Sequence, residues 1–138
     1  IMNLIPWSNA SFESIGVNTY IQDSHGMDEN WWLQYLSSWK RRYRKPIHST
    51  DWGMTSFRDA DKLGGMSPLY FRENRGYDEE PQVRYMERTL AMLNKAKIEG
   101  SFWVQYNDNW EMGHCLYHPV TRRRKKGFYM YKSYQRTP

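Results

Sequence analysis

His114 and His118 bracket Cys115 in the run His114-Cys115-Leu116-Tyr117-His118, and no other stretch gathers side chains so ready for chemistry. On a helix, histidines four apart share a face and suit a zinc ion. The alternation around them reads instead as a strand. Four residues at about 3.3 Å each then set the two Cα atoms roughly 13 Å apart, too far for joint ligation. Cys115 faces the other way, so no metal and no cofactor is expected. A Cys115 thiolate served by His114 or His118 as base is the enzymatic alternative, because a nucleophilic cysteine needs such a neighbour. Asp59 and Asp61 fall in a weakly patterned stretch, and Asp78, Glu79 and Glu80 read as helix-capping groups. Carboxylate pairs that act on glycosidic bonds meet in space rather than in sequence, so the sequence leaves such a pair open. Gly64-Gly65 leads into Met66 with no Lys-Ser/Thr after it, which excludes a phosphate-binding loop, and no Gly-x-Ser-x-Gly elbow occurs.

The stronger signal is basic and aromatic. Net charge is +5, and residues 1–100 balance thirteen cations against thirteen carboxylates. The excess therefore lies after residue 100, in Arg122, Arg123, Arg124, Lys125, Lys126, Lys132 and Arg136. Such asymmetry points to an anionic partner. Single-stranded nucleic acid is held by a positive groove with aromatic platforms for the bases. Arg122 to Lys126 and Lys132 are the expected phosphate contacts, with Trp103, Tyr129 and Tyr131 as stacking groups. The expected function is thus non-enzymatic binding of nucleic acid, single-stranded or RNA. The first alternative partner is an acidic protein surface in a larger assembly, and the second reading is the small Cys115 enzyme.

The elements that position these groups follow from periodicity. Residues 1–27 are irregular, with a short strand within Phe12 to Val17. Asp28 caps a helix over 28–45, where Trp32, Leu36, Trp39 and Tyr43 recur at four, three and four. Lys40, Arg41, Arg42, Arg44 and Lys45 suit its negative end, and Pro46 stops it. Ile47 to Trp52 reads as a strand, Thr55 to Leu63 as a short helix, and Leu69 to Phe71 as a brief strand. Residues 79–98 form the clearest helix, with Val83, Met86, Leu90 and Leu93 on one stripe and Gly100 beyond its end. From 101 the period switches to two. Phe102 to Tyr106, Trp110 to Tyr117 and Phe128 to Tyr134 then read as three antiparallel strands. The expected fold class is α+β in one domain over 1–138: two amphipathic helices on a small antiparallel sheet, ending in a basic β-meander over 101–138.

Composition sets outer bounds. The chain has 138 residues, 39% hydrophobic and 17% aromatic, enough to bury a core without staples. A single cysteine excludes an internal disulfide and fits a reducing, intracellular compartment. Ile1 in place of an initiator methionine fits a processed chain, such as an organellar one, and Met2 fits an alternative start. No stretch is long and apolar enough for a membrane span. Asn9-Ala10-Ser11 matches a glycosylation acceptor in a chain with no secretory signal. The order of elements also resembles the small subunit of ribulose-bisphosphate carboxylase. The resemblance rests on Phe12-Glu13-Ser14, on Gly76 with Gln82-Val83, and on Tyr106-Asn107-Asp108-Asn109, Cys115 and Pro119. That family's Tyr-Leu-Pro-Pro-Leu and Trp-Lys-Leu-Pro segments are missing. The resemblance implies a non-catalytic subunit capping a larger enzyme.

Overall fold

A computed structural model describes residues 12–21, 28–64, 68–104, 113–118 and 120–134. Strand β1 (Ile15–Asn18) leads to helix α1 (Glu29–Tyr43) and strand β2 (Ile47–Trp52). Helices α2 (Pro68–Asn74) and α3 (Glu80–Lys95) follow, then β3 (Gly100–Trp103) and α4 (Lys126–Tyr134). The strands form one sheet in the order β1-β2-β3, and both pairings are parallel. Parallel neighbours in sequence order, each joined through a helix, are the arrangement found in part of an α/β barrel.

Local sequence explains the main helices. The Asp28 carboxylate accepts the Trp31 amide at 2.8 Å and caps α1. Arg44 ends α1 in the left-handed region at φ 51°, and Pro46 bars continuation. In α3, Pro81 sits in the first turn, where its missing N–H costs nothing. Tyr85, Met86, Leu90, Met92 and Leu93 are buried from α3. Trp32 and Leu36 from α1, Ile47 and Trp52 from β2, and Phe71 from α2 join them in one core. Helix α3 packs beside both α1 and α4, so the three share a layer.

The expected antiparallel α+β architecture is corrected by this parallel sheet. Phe128 to Tyr134 is helical, not a strand. A run with aromatics at four of seven positions satisfies period two and period 3.6 alike, and packing decides between them. Gly127, Phe128 and Tyr131 face inward, while Tyr129 is 59% exposed. Gly127 lets α4 approach α3: a Cβ there would lie 2.8 Å from Gln82 Oε1. Leu69 to Phe71 belongs to α2, and Thr55 to Leu63 is a string of turns rather than a helix. Tyr117 makes only an isolated bridge to Arg124. Tyr106 and Trp110 to Met112, expected in strands, lie outside the described residues. The meander, and with it the element order behind the resemblance to the carboxylase subunit, is therefore not formed. Among the described residues no helix is long and apolar enough to cross a membrane.

Candidate functional site at the C-terminal rim of the sheet

In parallel α/β sheets, side chains at the carboxyl ends of the strands converge on one rim. Here that rim carries Asn18 at the end of β1 with Thr19 and Tyr20 just after it, Asp51 and Trp52 on β2, and Trp103 on β3. Strand β2 is irregular at this point. Val17 and Asn18 pair with Ser49 and Asp51, and Ser49 and Trp52 pair with Ser101 and Trp103. Both neighbours therefore see one extra residue between Ser49 and Trp52, a β-bulge. Ser49 and Trp52 are both buried, so Thr50 and Asp51 between them both escape the helix-covered face.

Asp51 is half-buried and well held. The Tyr20 hydroxyl donates to its Oδ1 at 2.9 Å, and the Asp51 carbonyl accepts the Thr19 amide at 2.9 Å. Tyr20 is itself anchored on both sides. Its carbonyl accepts the Trp32 indole N–H at 3.1 Å, and the next amide, Ile21, donates to the Tyr85 hydroxyl at 3.0 Å. Burial, and then the hydrogen bond and charge of Asp51, push the Tyr20 phenol well above its ordinary value. It is a proton donor to the carboxylate at any physiological pH. Thr19 and Ser49 bond through their hydroxyls below the rim, and the Thr50 hydroxyl donates to Asn18 Oδ1 at 3.0 Å. On the helix-covered face the wholly buried Trp52 ring meets Trp103 at 4.9 Å and Tyr131 at 6.1 Å.

The residues expected to bind nucleic acid are placed differently. The Arg123 guanidinium binds Glu79, and the Lys126 ammonium binds Glu80. The Lys126 amide donates to Glu79 Oε2 at 2.7 Å. Lys125 is wholly buried; its Nζ donates to Ser56 Oγ at 3.0 Å and to the Gly113 carbonyl at 3.1 Å. Arg124 lies over the Phe128 ring at 4.7 Å. Arg122 turns the chain at φ 57° and is exposed. Trp103 donates to the His114 carbonyl at 2.8 Å, and Tyr131 donates to the Ser101 carbonyl at 2.6 Å. Lys132 and Tyr129 point outward from α4. With Lys125 wholly buried, the nine side chains do not all reach the surface.

Glu79 is the organiser the sequence reading missed. Burial alone would raise its carboxyl, but the Lys126 amide, Arg123 and the Tyr77 hydroxyl outweigh that and hold it below 4.5. The residue reads as a helix-capping acid, and only the fold brings the basic loop to it. Cys115 is wholly buried, with its thiol on the Tyr117 carbonyl, which does not suit a nucleophile. His118 packs its ring on Tyr77 at 5.0 Å, and its Nδ1 accepts the Val120 and Thr121 amides at 3.3 and 3.2 Å. Burial, with Arg123 and Lys125 nearby, pushes its imidazole below the ordinary value. Among the described residues no group of three or more His, Cys, Asp or Glu is disposed to hold a metal.

The sequence matches no known family and no curated protein. Solved structures do match in fold. The β-glucuronidase of Ruminococcus gnavus aligns with a TM-score of 0.63 over 91% of this chain and 22% of its own, at 14% identity. The β-D-glucuronidase of Dictyoglomus thermophilum aligns at 0.62 over 91% and 23%, at 20% identity. A GH128 endo-β-1,3-glucanase from Amycolatopsis mediterranei aligns at 0.58 over 91% and 46%, at 19% identity. The chain thus spans less than half the length of these relatives in fold, and at these identities the likeness is one of fold alone. The expected nucleic-acid binder is corrected on two counts: its fold is shared with glycoside hydrolases, and much of its cationic loop is bound to its own carboxylates and carbonyls.

Proposed function

We propose that this chain forms part of a glycoside-hydrolysing barrel, in which Asp51 is one of the reacting carboxylates and Tyr20 orients it. The observation that carries this reading is a carboxylate set by a bulge on the C-terminal rim of a parallel sheet, with a tyrosine hydroxyl 2.9 Å from one oxygen. Its support from fold is the likeness to enzymes of that reaction class. Glycoside hydrolysis uses two carboxyl groups across the scissile bond. One protonates the leaving oxygen; the other attacks the anomeric carbon or activates water. Asp51 suits the second task, since the Tyr20 hydroxyl donates to Oδ1 and fixes the orientation in which Oδ2 is presented.

The test is hydrolysis of a panel of aryl β-glycosides by the chain and by Asp51→Asn. The expected loss is about 10²–10⁴-fold, the usual range for a positioned acid–base group. Equal rates for the two proteins, or no hydrolysis by either, would overturn the reading. Tyr20→Phe is expected to lower kcat more than it raises KM, because the hydroxyl touches the carboxylate rather than the sugar.

A further inference from the structure

The imidazole of His118 holds a turn that the backbone alone does not favour. Residues 116–118 and 123–125 run side by side in opposite directions. The Lys125 amide donates to the Leu116 carbonyl at 2.9 Å, Tyr117 bridges Arg124, and the His118 amide donates to the Arg123 carbonyl at 2.7 Å. At the tip the Arg122 amide donates back to the His118 carbonyl at 2.9 Å, with Arg122 in the left-handed region at φ 57°. An arginine stays in that conformation only where its surroundings hold it. Here the hold comes from His118 Nδ1, which accepts the Val120 and Thr121 amides at 3.3 and 3.2 Å. Accepting two donors takes the lone pair of that nitrogen, so the neutral ring carries its proton on Nε2.

The ring is itself fixed. It meets Tyr77 edge-on at 5.0 Å, and the Tyr77 hydroxyl donates to Glu79 Oε1 at 2.8 Å. The charged groups around it are Glu79 at the start of α3, and Arg123 and Lys125 just before α4. Burial first, and then the two cations, favour the neutral ring, and Glu79 opposes them. The turn belongs to the connection from β3 to α4, and such strand-to-helix connections border the C-terminal rim of a parallel α/β sheet.

We propose that His118 is an acid-operated latch on this connection: a proton taken from solvent by Nδ1 ends its acceptance of both amides and opens residues 120–122 at the rim. The imidazolium then sets an N–H against two N–H donors, and Arg122 relaxes out of the left-handed region. Opening stops at the base of the turn, where Glu79 still holds the Arg123 guanidinium and the Lys126 amide. Both acid groups lie below their ordinary values of 6.5 and 4.5, so the imidazole is expected to take its proton before Glu79 does. Because the folded imidazole is lowered, the latch is complete above about pH 6.5 and is lost as pH falls through the folded value.

The test is heteronuclear NMR of the whole chain titrated from about pH 7 to about pH 4, following the His118 ring and the backbone amides together. As the ring takes its proton, the Val120 and Thr121 amides are expected to shift with it. Exchange protection of Thr121, corrected for the intrinsic effect of pH, is expected to fall about tenfold or more. The Lys126 amide is expected to hold until Glu79 titrates. His118→Asn sets an amide oxygen, which takes no proton in this range, where it accepts the amides two and three residues on. That variant is expected to keep the turn closed throughout. His118→Phe keeps a ring against Tyr77 without an acceptor and is expected to lose the protection already at neutral pH, with circular dichroism checking that it folds. If it does not fold, His118→Asn decides alone. A ring that titrates while the Val120 and Thr121 amides stay still would overturn the proposal. So would a response that survives in His118→Asn, which would assign it to a carboxylate, or wild-type protection in folded His118→Phe. Asp51→Asn is expected to titrate as the wild type does, which separates failure of this proposal from failure of the hydrolytic one.

Discussion

Replacing Glu79 by Gln preserves side-chain shape and removes one charge at the point where the basic loop meets α3. Glu79 is 6% exposed and accepts from the Tyr77 hydroxyl, the Arg123 guanidinium and the Lys126 amide. A hydrogen bond to a charged group contributes about 1.5–3 kcal/mol, and removing one partner of a buried pair costs about 3–5 kcal/mol. Arg123 is half exposed and recovers part of its hydration, and the amide oxygen of Gln keeps one acceptor. The expected loss is therefore about 2–3 kcal/mol, below the cost of breaking a fully buried pair. For a chain of this size that is roughly 3–5 °C of Tm per kcal/mol, or on the order of 10 °C in all. The assay is urea unfolding followed by tryptophan fluorescence, repeated between pH 7 and pH 3. Because the folded carboxyl lies below its ordinary 4.5, its contribution is complete above about that pH and disappears as pH falls through the folded value. The gap between wild type and Glu79→Gln should thus be full at pH 7 and close in acid. A gap under about 0.5 kcal/mol at pH 7, or one unchanged at pH 3, would refute the central place given to Glu79.

Three further changes probe the supports of the rim and the helix start. Tyr85→Phe removes the acceptor of the buried Ile21 amide, and a loss of about 1–3 kcal/mol in chemical denaturation is expected. Gly53→Ala would put a Cβ 2.3 Å from Val104 Cγ1 beside the end of β3, so the thermal midpoint should fall, and an unchanged midpoint would contradict the close approach of the two strand ends. Asp28→Ala removes the α1 cap and should cost about 1 kcal/mol of stability in urea, with faster amide exchange confined to the first turn.

Both long helices were legible because cap, stripe and stop coincide in each: Asp28 with Pro46 for α1, Pro81 with Gly100 for α3. Strand β2 was legible from its β-branched and aromatic content. The sheet's direction was not. Antiparallel and parallel strands differ in what connects them, and the expected hairpins rested on reading Phe128 to Tyr134 as extended. Seven residues with aromatics at four positions fit either period, and it is the docking of Gly127 against Gln82 and Met86 that makes them helical. The same error hid the site. Asp51 in Ser49-Thr50-Asp51-Trp52 draws notice only once β2 is known to run parallel to its neighbours, because only then does its carboxyl end face a shared rim. The basic loop was visible as charge but not as function, since its neutralising partners, Glu79 and Glu80, lie more than forty residues earlier.

The extra residue in β2 bears on how this segment could drift between generations. An in-frame loss of the codon for Thr50 would leave Tyr20 and Asp51 unaltered and the sheet with a regular ladder. It would nonetheless slide the carboxylate along the strand by one rise, about 3.3 Å, more than the whole length of its bond to the tyrosine. Lineages could thus part the pair while keeping both residues, and an inventory of side chains would not register the difference. The bulge, rather than either member of the pair, is the character to compare among descendants.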